Sequence, residues 1–471
     1  HIAEHGVTQN VAELLAREFK ALPADTRWVV QRAACLGSQF DLDTLMRVTR
    51  RSRADLIREL WQVIEQGLIT AVGSEFRYQA SEDVPASEVR YRFLHSRIQQ
   101  AIYSSLAEDE RYRIHLEIGS LFMAEHRAED LEADVFLVLS HWNRADALIS
   151  EPDERLELAR LNLRGGLRAR RATAYDSALA MLGRAVSLLG DLGASALLAE
   201  ARLALAECEF LSGEPDRALT ELDTLATLDL DWWMRARLGM LRIDILSVLN
   251  RLDHATVHAI NTLAELGLAL PEDEARLEAA VASELATLVP ALAEAGPRAL
   301  LDGSMQHDDR LQVTMLLMRK SVLPAHHTQP VLADLLILKM VNMSRQSGLT
   351  AVSSYAYAMY GLVHGQRTGD LAMAYEIGRA AMAINDRIGD RSLAASIHFV
   401  QGMFLSHWCE HVTTSIYQFE DSRAASLESG APLHAGFATS RIAMHRLLRG
   451  DPIGELISDL DDYDELMPRM G

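Results

Sequence analysis

The chain has 471 residues, of which 49% are hydrophobic, 24% charged and 6% aromatic, and its net charge is −20. This is the balance of a soluble globular protein, and the negative charge argues against non-specific nucleic-acid binding by the chain as a whole. Leucine, alanine, arginine and glutamate dominate, a mix that favours helices. The three cysteines, Cys35, Cys208 and Cys409, are far apart, suggest no disulfide framework and fit a reducing cytosol. The longest apolar stretches, such as VLADLLILKMV at 331–341, are far short of the ~20 residues a membrane span needs. No basic-then-apolar signal opens the sequence, so a cytoplasmic protein without membrane attachment is expected. The first residue is histidine and the last are MPRMG, which leads to the expectation of a piece of a larger protein.

In chain order, residues 11–22 and the stretch TRWVVQRAACLG carry apolar residues at helical spacing, the second stopping at Gly37. FDLDTLMRVT reads as a short helix. SRADLIRELWQVIEQGLI reads as a longer one, with Ser52 and Asp55 placed like a capping box. The period then changes: LITAVG, EFRYQA and EVRYRFLH are short, richer in aromatic and β-branched residues, and broken by the turn-like SEDVPAS. Helix-turn-helix followed by a hairpin predicts a winged helix, here residues 1–106 with the segment that leads into it.

Beyond Leu106 the pattern is helix after helix. TAYDSALAMLGRAVSLL, GEPDRALTELDTLATL and NRLDHATVHAINTLAEL align on Ala178, Ala218 and Ala255, spaced by 40 and 37 residues. Two later copies align on Tyr375 and Tyr417, and another opens at Gly450. These periods match paired-helix repeats of the tetratricopeptide kind. The Pro- and Gly-containing stretch 289–309 is expected to divide the array. The predicted fold is therefore mainly α: a small winged-helix domain (1–106), then an α-solenoid in two lobes (107–288 and 289–471).

The motifs for nucleotide-binding loops, serine hydrolases, zincins and protein kinases are all missing from the sequence, which predicts a chain without catalytic residues of its own. The RGG at 164–166 is too short to cradle a phosphate. HWCEH at 407–411 would place His407 and His411 one turn apart if helical, but a zinc site needs two further ligands, and packed or solvated residues are the default, so no metal is expected. AHH at 325–327, beside a proline, reads as a loop. Arg50, Arg51 and Arg53, with Arg47 and Arg58, make a basic run at the helix-turn-helix. Such a run fits a DNA-facing patch, or a solvated turn, or a surface meeting another domain; interleaved Asp55 and Glu59 and the acidic chain make nucleic acid the lesser reading.

The segment FLHSRIQQAIYSSLAEDERYRIHLEIGSLF resembles a region of very large bacterial signalling proteins. These join a Ser/Thr kinase domain, a STAND/AAA-type ATPase, a helical-repeat region, a GAF domain and often a sensor histidine kinase. VVQRAACLGSQFDLDTLMRVTRRSRADLIRELWQVIEQGLI and LLILKMVNMSRQSGLTAVSSYAYAMYGLVHGQRTGDLAMAYEIGRAAMAI are similar to the same family, so the resemblance spans most of the chain. A weaker resemblance reaches repeat-containing ATPase regulators fused to DNA-binding domains or nucleotide cyclases. The resemblance to the large signalling proteins implies a stretch lying after the ATPase core and before any GAF or histidine kinase domain, with ATP or ADP bound in the parent protein and no cofactor here.

In STAND ATPases a winged-helix histidine, commonly followed by Asp, reaches the β-phosphate of ADP, and FLHS resembles that position. The resemblance makes His95 the phosphate contact, completed by an ATPase core, with Ser96 in place of the Asp and able to cap the helix. The plain reading is a satisfied histidine at a strand–helix junction. Together these give an interaction and regulatory module that couples nucleotide state to the parent's kinase domains or to a protein partner. The alternatives are a nucleic-acid-binding regulator acting through Arg50, Arg51 and Arg53, and a superhelix that binds a small inducer.

Overall fold

The computed structural model describes residues 18–73, 85–125, 131–429 and 432–458. The predicted strand EFRYQA, most of the predicted helix 11–22 and the acidic stretch 459–466 lie outside the described residues. The chain divides into two compact units, His1–Cys208 and Glu209–Gly471.

The first unit opens with α1 (Ala24–Leu36), β1 (Gln39–Asp41), α2 (Leu42–Thr49), α3 (Arg53–Glu65), β2 (Ile69–Val72), β3 (Arg90–Phe93) and α4 (Ser96–Ser104). The strands form one antiparallel sheet in the order β1-β3-β2, with Phe40 opposite Tyr91 and Ile69 opposite Phe93. β3 alternates cleanly: Arg90 and Arg92 face water, while Tyr91 and Phe93 enter the core. There Tyr91 stacks on Phe40 with ring centroids 5.7 Å apart, among Val29, Leu45, Leu60 and Ile98. The helix starts follow from their caps. The Asp41 carboxylate accepts from Thr44 N at 2.7 Å, and the Ser52 hydroxyl accepts from Asp55 N at 3.2 Å, as the capping spacing predicts. β1 went unread in the sequence because three residues are too few to show alternation, so Phe40 and Asp41 belong to a strand and a cap rather than to a helix.

Helices then follow one another: α5 (Glu108–Glu125), α6 (Leu131–Trp142), α7 (Pro152–Arg171), α8 (Tyr175–Leu192) and α9 (Ser195–Leu211). The second unit continues with α10 (Pro215–Ala226), α11 (Trp232–Val248), α12 (Leu252–Glu265), α13 (Glu274–Ala295), α14 (Asp309–Thr328), α15 (Pro330–Ser347), α16 (Ser353–Thr368), α17 (Leu371–Ile388), α18 (Arg391–Val400), α19 (Val412–Glu428) and α20 (Pro432–Arg449). The architecture is mainly α and solenoid-like within each unit. Beyond Leu106 the described residues hold an isolated parallel bridge, Met305 to Leu349, and no strand.

A repeated turn explains the repeat in the sequence. Thr173, Gly213 and Asn250 each adopt a left-handed φ (56°, 89° and 56°) between two helices. The next residue's N–H, of Ala174, Glu214 or Arg251, reaches back to the carbonyl of Ala169, Glu209 or Leu246 at 2.8–2.9 Å. This is a Schellman-type closure, and it reverses the chain at a fixed angle. Four residues further on, Ala178, Ala218 and Ala255 are each fully buried. At Ala178 and Ala255 a small side chain lets the second helix lie against the first. Gly166 on α7 is the matching feature: a Cβ on it would sit 2.5 Å from Leu182 Cγ on α8. The RGG of the sequence is thus helix packing.

In the later copies the packing position is not the tyrosine. Tyr417 is 60% exposed, whereas Ala374 and Ser415 are buried. The turn before α17 again uses a left-handed residue, Gly369 (φ 76°). The expected lobe boundary at 288/289 falls inside α13, whose helix runs through Pro290. Ala325–His327 lie inside α14 rather than in a loop, because Pro324 in mid-helix does not end it.

Candidate functional site

β3 leads straight into α4. Phe93 N donates to Ser38 O at 3.0 Å and Leu94 N to Leu68 O at 3.1 Å, so the strand end is tied on both sides. α4 is held by Ile98 and Ile102 in the core and by Gln99 Nε2 donating to Ala34 O at 2.7 Å. Between these anchors His95 is the N-cap, in an extended conformation (φ −139°, ψ 145°). Its carbonyl accepts from Ile98 N at 3.0 Å, while its imidazole is exposed and makes no capping hydrogen bond. Ser96 is the first helical residue and not the cap expected from the sequence. The first turn of α4 holds no acidic residue. A helix N-terminus with exposed N–H groups, no competing carboxylate and an uncommitted imidazole suits an anion such as a phosphate oxygen.

The arginine run lies elsewhere, around the α2–α3 turn. Arg50 ends α2 in the left-handed conformation and is exposed. Arg51 pairs with Glu59 and, at 3.4 Å, with Asp25, and its guanidinium lies 5.3 Å from the Trp28 ring centroid. Burial pushes the Glu59 carboxyl up, and Arg51 opposes it. Arg53 is half-buried at the first position of α3. Arg47 and Arg58 pair with Asp43 and Asp55 at 2.7 and 2.9 Å. A cleft of about 280 Å³ lies beside this turn, lined by Trp28, Arg32, Arg47, Arg50 and Glu117. There Arg32 covers Trp28 at 3.7 Å and pairs with Glu117 at 3.5 Å.

The HWCEH cluster is not helical throughout. The backbone passes from α18 through a π-helical turn (Gln401–Leu405) and a 3-10 turn (Ser406–Trp408), and His411 is the N-cap of α19. His407 and His411 therefore do not share a helix face. Among the described residues no group of three or more His, Cys, Asp or Glu is arranged to hold a metal.

A buried histidine pair lies in the first unit. His115 on α5 and His141 on α6 are 0% and 1% exposed. Their Nδ1 atoms lie 2.9 Å apart, and the Tyr103 hydroxyl meets His115 Nε2 at 3.0 Å. Burial, then Arg144, pushes His115 down to about 4; burial, then His115 itself, pushes His141 down to about 3. Both imidazoles are neutral near pH 7. A histidine within an apolar helical pattern was the available signal, but pairing across helices is a tertiary fact.

No protein-family model matches the chain. The chain is 23% identical to hybrid signal transduction histidine kinase G of Dictyostelium discoideum, over an alignment of 531 positions that takes in 96% of the chain. It spans 15% of that protein's length. A solved STAND (signal transduction ATPase with numerous domains) protein with a tetratricopeptide repeat sensor, from Pyrococcus horikoshii, aligns at a TM-score of 0.35 and 12% identity. That alignment covers 96% of this chain and 65% of the other, and at such a score it carries no argument about the fold.

Proposed function

We propose that this chain is a non-catalytic regulatory and protein-interaction module of a multidomain signalling kinase. In this reading residues 24–104 are a winged helix: helix, strand, two helices and a two-stranded wing, with β1 closing the sheet. The tetratricopeptide-like helices after it present a surface to a protein partner, to the parent's kinase domains or to a second copy. The winged helix abuts an ATPase core that binds ATP or ADP, and His95 supplies one contact to the nucleotide phosphate. The similarity to a signal transduction histidine kinase supports the signalling role.

The observation that carries the reading is the placement of His95. The backbone around it is fixed on both sides, while its imidazole stands exposed at the N-terminus of α4 and makes no hydrogen bond among the described residues. A histidine needed only for the fold would be tied into the core, as His115 and His141 are. The test is His95→Ala in the intact multidomain protein, reading ADP dissociation and basal kinase output. Faster ADP loss or raised basal output is expected. Unchanged nucleotide release and unchanged output would sink the phosphate contact.

A further inference from the structure

The Pro- and Gly-containing stretch that interrupts the repeats builds a cavity in the second unit. A 3-10 segment (Pro297–Asp302) follows α13 and folds against the loop after α15. Leu349 N donates to Ser304 O at 2.8 Å, and Gln306 N to Leu349 O at 2.7 Å. Arg387 on α17 donates to the carbonyls of Leu301 and Gly303, the latter at 2.9 Å. The wall is therefore pinned from outside. Gly348 is required here: its φ is +107°, and a Cβ would lie 2.8 Å from Ser304 O.

The space is a cleft of about 380 Å³ that opens to solvent, within the range of small-molecule sites. The final turns of α13 and α15 both end on it, and the last carbonyls of a helix carry partial negative charge. Two side chains are uncommitted. Tyr357, on α16, is 1% exposed and lines the cavity, yet its hydroxyl makes no hydrogen bond within the described protein. Arg345, which lines the cavity and is exposed to solvent, makes no ion pair among the described residues. Burial pushes the Tyr357 phenol up to about 12 and Arg345 opposes that, so the phenol is a donor at neutral pH and the cation stands close to it. The Tyr357 ring is buried while its hydroxyl is left to water or to a ligand in the cavity.

We propose that this cavity binds a small zwitterion of the amino-acid class. Its carboxylate takes the Arg345 guanidinium and the Tyr357 hydroxyl, and its ammonium group faces the carbonyl ends of α13 and α15. Binding would tie the interrupting segment to both helix pairs that flank it. The site goes beyond the regulatory reading and stands or falls on binding to this chain alone.

The test is calorimetric titration of the full chain with the standard amino acids, one at a time. At least one should bind. Arg345→Ala should weaken that binding by about 10- to 100-fold, the scale of one charge-assisted hydrogen bond, without lowering the melting temperature of the unliganded chain. Tyr357→Phe should also weaken it, while leaving the unliganded chain at least as stable. If no amino acid binds, or if binding is the same in both variants as in the native chain, the proposal is wrong.

Discussion

The Nδ1 atoms of His115 and His141 lie 2.9 Å apart in a site sealed from water. Two such nitrogens share one proton, so one ring donates and the other accepts. The tautomers are thereby coupled: if His115 donates from Nδ1, its Nε2 must accept from Tyr103. His141 Nε2 is buried without a partner in either arrangement.

Acid stability follows from this pair. Both pKa values are lowered by folding, so the unfolded chain binds more protons below the ordinary histidine value. The pair's contribution is fully present above pH 6.5. It is lost as the pH falls from 6.5 through about 4 and about 3. Protonating the accepting ring breaks the Nδ1–Nδ1 bond, and protonating either ring buries a charge. The first unit should lose on the order of 2 kcal/mol between pH 6.5 and pH 4. The double change His115→Leu with His141→Leu should flatten that slope in thermal unfolding monitored against pH. An unchanged slope would show that other groups govern it.

Thr173 bears the strain of the repeated turn. It is β-branched, yet it adopts φ 56° where Gly213 stands in the next copy. A left-handed conformation costs a non-glycine residue roughly 1–2 kcal/mol. Thr173→Gly relieves that cost but loosens the unfolded chain, so a net gain of about 0.5–1 kcal/mol is expected. Asn250→Gly should gain less, because asparagine tolerates this region. Equilibrium denaturation of the two variants checks the order.

The caps and the turns were legible from sequence because they are local. Ser52 with Asp55, Gly37, and the copies opening at Gly213 and Asn250 each carry a residue type that suits the backbone there, and Thr173 opens the remaining copy despite its strain. The register of the later copies was not. Tyr375 and Tyr417 are conspicuous in sequence, but burial selects the small residues Ala374 and Ser415. Likewise HWCEH looked helical because nothing local marks the π-helical turn that precedes it. For the candidate site, the strand-to-helix position of His95 was readable. The cavity around Tyr357 was not, since it joins residues from four stretches between 291 and 357.

Ser52 tests how firmly the α2–α3 turn is set. Its hydroxyl accepts from Asp55 N and donates to the Asp55 carboxylate at 2.6 Å. Ser52→Ala should cost about 1 kcal/mol. It should also raise the Asp55 pKa, which is lowered first by this hydrogen bond and further by Arg58. Denaturation reads the first effect and a carboxylate NMR titration the second. A variant as stable as the native chain would mean that water replaces the cap.

Two glycines on facing helices should respond oppositely to the same substitution. Gly166 on α7 and Gly183 on α8 are both inside helices, where alanine is intrinsically favoured by roughly 0.5–1 kcal/mol. Around Gly183 nothing lies within 4 Å of an added Cβ, so Gly183→Ala should gain that amount. At Gly166 the new methyl would meet Leu182 Cγ at 2.5 Å and Cδ2 at 2.7 Å, and Leu182 is fully buried with no room to retreat. Overpacking a closed contact costs typically 1–3 kcal/mol, which exceeds the propensity gain. Gly166→Ala should therefore lower the melting temperature of the first unit while Gly183→Ala raises it. Adding Leu182→Ala to Gly166→Ala should recover part of the loss, because it empties the space the methyl needs. Equal gains at both glycines would mean that α7 and α8 do not approach as closely as the Ala178 turn sets them.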